Sequence, residues 1–277
     1  MFFAFLALLI RIVSNPVANF YQKSASGFES SITVNLYSSL FMALFFLPFL
    51  FFVNWSLYNL EFYLLVCLSG LLCFLGTICL IKALSVGEMS VLGPLNSYKS
   101  VIGLLGAYFI LGETPSIKAL IGFLLIVCAS FLFIENEGKF SINKSVFLRL
   151  LALLFSGMEA VILKKIILLS SPFISFILWC CIGFIFSFIF AAFTKKLKLH
   201  SKDTLKKCFI IAVLLCLMQY STNVVFKYFE VGLSLSLFQL SSVVSLFLGF
   251  KFLNEKGIIK KITGTVIMIS GSSLILI

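Results

Sequence analysis

LGETPSIKALIGFLLIVCASFLFI (Leu111–Ile134) and LNEKGIIKKITGTVIMISGSSLIL (Leu253–Leu276) are two copies of one pattern. Seven of 24 aligned positions are identical, and four of the matches are polar or glycine: Glu113/Glu255, Lys118/Lys260, Gly122/Gly264 and Ser130/Ser272. These matches carry the weight, because apolar identities arise by chance in so apolar a chain. Further copies lie upstream. Leu6-Ala7-Leu8-Leu9 matches Leu151-Ala152-Leu153-Leu154, and Val86-Gly87 matches Val231-Gly232. The chain therefore reads as two repeats, 1–138 and 139–277.

Composition sets the medium. Apolar residues make up 61% of the chain, charged residues 11%, and mean hydropathy is +1.18. Soluble domains carry about 25% charged residues. Apolar runs long enough to cross a bilayer, about 20 residues each, recur from end to end. Ten spans are expected: 2–21, 31–53, 62–82, 89–111, 117–135, 147–167, 172–193, 208–228, 233–252 and 257–277. The fold class is all-α, ten transmembrane helices in two five-helix repeats. The N-terminal run lacks the basic stretch and cleavage site of a signal peptide and is read as the first span.

Five spans per repeat is an odd number, so the second copy is inverted across the membrane. Inverted repeats with a binding site between them mark alternating-access transporters. The net charge of +11 falls mostly on lysines at loops and helix ends. There it sets orientation and meets anionic lipid, and no nucleic-acid partner is expected. The eight cysteines all lie in or beside spans and none forms a C-x-x-C pair; they read as packing residues. The one histidine, His200, has no second ligand type beside it, so neither metal nor cofactor is expected. No phosphate-binding loop is present, which argues against direct ATP drive.

The stretch Lys82–Lys99 (KALSVGEMSVLGPLNSYK), then Leu111–Glu113 (LGE) and the helix around Gly122, resembles the EamA-like branch of the drug/metabolite transporter superfamily. Val231–Leu240 (VGLSLSLFQL) and Leu253–Glu255 (LNE) repeat the resemblance in the second half. It implies a multi-pass protein of the plasma (bacterial inner) membrane. Members export amino acids, drugs and metabolites or import solutes such as nucleotide sugars. The superfamily's small four-helix exporters use a buried Glu in their first helix. Here the first span carries Arg11 and no acid, and Glu159 lies in its repeat counterpart.

Polar residues fall in helical register. Arg11, Asn15, Asn19 and Gln22 share a face, with Pro16 removing one backbone bond among them. Asn96, Ser100 and Gly103 share another, with Lys99 beside it and Ala107 one turn beyond Gly103. Pro94 is expected only to shape the start of that span. Ser156 and Glu159 align in span 6, with Arg149 two turns before Ser156. Gln219, Asn223 and Lys227 align in span 8, and Gln239, Ser242 and Ser245 in span 9. A charge at mid-membrane costs about 3 kcal/mol on insertion scales, so Arg11, Lys99 and Glu159 must face inward. The expected substrate-binding set is Arg11, Asn15, Asn19, Asn96, Lys99, Gln219, Asn223 and Gln239. Glu159 is expected as coupling group or counter-ion, and Arg11 and Lys99 as anion-binding groups or partners of Glu159. Two cations against one acid favour an anionic or zwitterionic small molecule.

Spans 5 and 10 carry small residues seven apart, Gly122/Ala129 and Gly264/Gly271, and are expected to be scaffold or a homodimer contact. Basic residues number 15 at the odd loops and four at the even ones (Lys118, Lys164, Lys165 and Lys227). The positive-inside rule then puts both termini outside, whereas the resemblance implies inside. Two other functions stay open: a lipid-linked sugar flippase, and a membrane enzyme, for which no nucleophile–base grouping is visible.

Overall fold

The structure is a computed structural model and describes residues 2–106, 116–136, 139–140, 143–198 and 202–274. Leu111–Glu113, Ala107 and His200 lie outside these. Among the described residues, seven helical stretches are long and apolar enough to cross a membrane. They are α1 (Phe2–Ser26), α2 (Ser31–Phe46, prolonged by a 3₁₀ turn to Phe52), α3 (Leu60–Val86), α7 (Lys144–Leu169), α8 (Pro172–Phe193), α9 (Lys202–Tyr228) and the stretch Val231–Leu253. Two further apolar helices are α6 (Ile117–Ile134) and α12 (Ile258–Leu274). The halves are joined through a two-stranded antiparallel ribbon, Glu135–Asn136 with Lys139–Phe140, which the sequence did not suggest.

The fourth expected span is not one helix. It is α4 (Met89–Leu92), a 3₁₀ turn (Pro94–Ser97) and α5 (Tyr98–Gly106). Pro94 thus breaks this span rather than shaping its start, because it has no N–H to donate and clashes with the preceding turn. The ninth span is interrupted at the matching place: α10 (Val231–Leu237), a 3₁₀ turn (Phe238–Leu240) and α11 (Ser241–Leu253).

Packing follows a pseudo-twofold pattern. α1 lies along α9, and its counterpart α7 lies along α3. α2 packs on α9, and α8 on α3. α2 and α8 pair with each other, as do α6 and α12. In the last pair the small residues meet: a side chain on Gly271 would reach the Gly122 carbonyl at 2.8 Å. Gly271 and Gly122 thus pack against each other within one chain. The outward faces of these helices, with Leu120, Leu124, Ile262 and Val266, are exposed.

Helix ends are closed by matching devices. Lys23, near the end of α1, donates to the Gly87 carbonyl that follows α3. Lys164, near the end of α7, donates to the Phe226 and Phe229 carbonyls at the end of α9. Cations there satisfy orphan carbonyls and complement the helix dipole. Ser30, Asn59 and Ser171 cap the starts of α2, α3 and α8.

Glu255, from the repeated motif, caps the other half. Its carboxylate accepts from the Met89 and Ser90 N–H groups at 2.7 and 2.8 Å, and Lys23 lies 3.8 Å away. The Glu255 side chain is only 5% exposed. Charge-assisted bonds to a buried carboxylate are worth about 1.5–3 kcal/mol each. Glu255→Ala is expected to lower stability by about 3 kcal/mol, and Glu255→Gln, which keeps one acceptor oxygen, by about half that. Thermal unfolding in detergent measures both.

Candidate functional site

A cavity of about 110 Å³ lies between the halves, walled by α1, α3, the first interrupted span, α7, α8, α9 and the second interrupted span. Arg11, Asn15, Asn19, Asn96, Lys99, Gln219 and Glu159 line it, as expected from their helical faces. Gln22, which completes the α1 stripe, lines it too. Pro16 sits within this stripe of α1.

Arg11 is 5% exposed. Its Nε donates to Thr222 Oγ1 at 2.8 Å, and its guanidinium lies 4.7 Å over the Phe238 ring. Its Nη1 is buried and meets no acceptor among the described residues. Thr222 in turn donates to the Met218 carbonyl at 2.8 Å, which fixes the hydroxyl for Arg11. Glu159 is 8% exposed and accepts from Ser69 Oγ at 3.3 Å. Lys99 is within electrostatic reach of Arg11, Glu159 and Arg149. Among the described residues, neither Arg11 nor Lys99 forms an ion pair with Glu159.

Two expected residues are placed elsewhere. Asn223 is fully buried in the joint between α8 and α9, donating to the Pro172 carbonyl and Ser175 Oγ at 3.1 and 3.0 Å and accepting from Gln219. Gln239 is fully buried where the interrupted spans cross. Its amide donates to the Asn96 and Leu235 carbonyls at 3.1 and 2.9 Å. Neither is among the residues lining the cavity. Asn223 spends its donors on α8, and Gln239 spends its own on the other interrupted span and on its own preceding turn.

Arg149, outside the expected binding set, also belongs to the site. It is 5% exposed and lines the cavity. Its Nε donates to the Leu92 carbonyl at 2.9 Å and its Nη2 to Asn96 Oδ1 at 3.3 Å. The signal was present: Arg149, Ser156 and Glu159 lie at i, i+7 and i+10, one helix face. Trp179 of α8 also lines the cavity. Its place mid-span, away from the interfacial aromatic belt, is the cue that was passed over.

The wall thus carries three cations and one carboxylate. Electrostatic focusing in such a cleft concentrates anions. Trp179 and Trp55 are the two tryptophans. In a Trp55→Phe variant, iodide is expected to quench Trp179 more than about twofold more steeply than caesium, each relative to its action on free indole. Equal quenching would contradict a cationic cavity.

Comparison with known proteins adds the lineage. No curated protein matches the sequence. A solved crystal structure with 11% identity superposes with a TM-score of 0.70, covering 99% of this chain and 94% of its own. At that identity the likeness concerns the fold alone. The sequence pattern of the EamA-like transporter family matches twice, over residues 2–134 and 143–277. With both halves matched over nearly their whole length, the chain belongs to the EamA-like transporter family.

Proposed function

We propose that this protein is a secondary transporter that moves a small polar metabolite, anionic or zwitterionic, by alternating access between two inverted five-span repeats, 1–138 and 139–277. The observation that carries the reading is the charged cavity walled by both halves and by the two interrupted spans. Discontinuous helices lining a midplane cavity are how transporters present backbone dipoles to a solute. Arg11 and Lys99, free of ion pairs with Glu159 among the described residues, hold the anionic group. Glu159 serves as coupling group or counter-ion, in ion- or exchange-coupled transport.

A second reading has one observation behind it. A groove of about 440 Å³ between α1, α8 and α9 is lined by Phe3, Leu6, Ile10, Phe173, Val224 and Lys227 among others. An apolar groove suits the lipid part of a lipid-linked sugar. It shares no lining residue with the charged cavity. A flippase needs the two joined, so a water-soluble solute is preferred.

Metabolite profiling of cells with and without the protein selects the solute, and counterflow in proteoliposomes measures it. Arg11→Gln and Lys99→Gln are each expected to cut uptake by more than about tenfold, equivalent to at least ~1.4 kcal/mol of lost binding, with unfolding temperatures near wild type. Full uptake in both variants would reject the site.

Moving Arg149 from the loops to the cavity changes the basic-residue count from 15 to 14 on the odd side, against four on the even side. That bias keeps the odd loops in the cytoplasm and the termini outside a plasma (bacterial inner) membrane. A fluorescent protein that matures only in the cytoplasm, fused to Ile277, is expected to stay dark.

A further inference from the structure

Arg11 and Arg149 occupy related places. Each rises from the first helix of one half and docks on the interrupted span of the other half. Arg11 of α1 lies over Phe238, which opens the second interruption. Arg149 of α7 bonds Leu92 and Asn96, at the first interruption. Both are 5% exposed, and both are held by neutral partners: a hydroxyl and an aromatic ring for Arg11, a carbonyl and an amide oxygen for Arg149. Lys99 is within electrostatic reach of both.

Charge does not balance in this cavity. Three cations face one carboxylate, a formal excess of +2, and among the described residues none of the three is ion-paired. Each unpaired buried ion costs several kcal/mol even after relaxation. A single negative charge leaves half of the excess uncompensated, and a zwitterion leaves all of it. Size bounds the ligand further. At about 110 Å³ the cavity is well below the roughly 300–1,000 Å³ of pockets for drug-sized ligands, which suits a small metabolite.

We infer that the cavity takes a small dicarboxylate, one carboxylate on the Arg11 guanidinium and the other on that of Arg149, with Lys99 within electrostatic reach of both. This rests on the transporter reading above and narrows its solute. Arg11 lines the cavity and among the described residues its guanidinium makes one hydrogen bond, from Nε; with Nη1 buried and unpartnered as well, the group stays under-bonded until a carboxylate meets its cavity side. The two arginines sit on opposite halves, so the ligand bridges the repeats. A phosphate monoester carries both charges on one group, whereas a dicarboxylate divides them between the two guanidinium groups.

The test uses the full-length protein in detergent, with thermal unfolding and Trp179 fluorescence in the Trp55→Phe background as readouts. The probes are succinate, glycerol 3-phosphate, butyrate and alanine. Succinate is expected to bind more than about tenfold tighter than butyrate, a difference of at least ~1.4 kcal/mol, and tighter than the other two. Arg149→Gln is expected to abolish the preference of succinate over butyrate, and Arg149→Lys to restore part of it. Should Arg149→Gln not fold, the ranking on the wild-type protein and on Arg149→Lys decides. Alanine, butyrate or glycerol 3-phosphate binding as well as succinate, or no binding by any probe, overturns the inference. Succinate bound without flux in proteoliposomes would refute transport and leave the dicarboxylate site standing; preferred flux of alanine would do the reverse.

Discussion

A polar group buried in a hydrocarbon medium must find a partner inside the protein, and this constraint organises the molecule. A continuous helix meets it alone, since each backbone N–H has a carbonyl four residues back. The two interrupted spans do not, and the side chains around them supply what the breaks release. Gln239 bonds the Asn96 carbonyl across the crossing, Ser242 Oγ bonds the Gly93 carbonyl at 3.3 Å, and Arg149 takes the Leu92 carbonyl. The crossing needs close approach as well. A side chain on Gly93 would meet the Ser245 Cβ at 2.5 Å. Where the helices break, the halves are thus joined by bonds that neither half makes alone.

The same accounting explains what the sequence shows and what it hides. The inward placing of Arg11, Lys99 and Glu159 follows from cost alone, since no lipid-facing position tolerates them cheaply. The stripe Arg11–Asn15–Asn19–Gln22 follows from helical period, and all four residues line the cavity. Period says which face is polar but not what that face meets. Asn223 and Gln219 share one face of α9, yet only Gln219 reaches the cavity, because α8 presents the Pro172 carbonyl to Asn223. Arg149 hid for the opposite reason: near a helix start, a snorkelling cation and a site cation look alike. The interruption at Pro94 is legible from the proline, whereas its partner at Phe238–Leu240 has no proline or glycine to announce it. That break packs against the first.

Repetition extends beyond sequence identity to mechanics. Lys23 and Lys164 occupy corresponding helix ends in the two halves, and each closes the end of its half's third helix. The sequence alignment does not pair these lysines directly, so the device is conserved in role rather than in register. The capping by Glu255 is different in kind. It belongs to the repeated motif, but it crosses from one half to the other, holding the start of α4 by two backbone bonds. At that end of the bundle Lys261 also reaches across, bonding Glu88 and Ser90. The links at this end are therefore ionic and reversible, whereas α6 and α12 meet through close-packed small residues. On the alternating-access reading proposed above, polar links suit the seam that opens and close packing suits the hinge.

On the transporter reading proposed above, cations at a seam of this kind couple ligand to motion. Arg11 and Arg149 are each attached to one half by their helix and to the other by hydrogen bonds or ring contact. Any movement of one half against the other must therefore stretch those contacts. Without a ligand, the excess positive charge resists closing the cavity away from water, since desolvation of unpaired ions grows as water leaves. On the dicarboxylate inference, a bound ligand removes that resistance while its carboxylates compete for the guanidinium N–H groups. Occupancy and closure are then linked through one quantity, the charge left uncompensated at the seam. A ligand that compensates it fully favours the closed cavity most, because a ligand shifts a conformational equilibrium only by its difference in affinity between states.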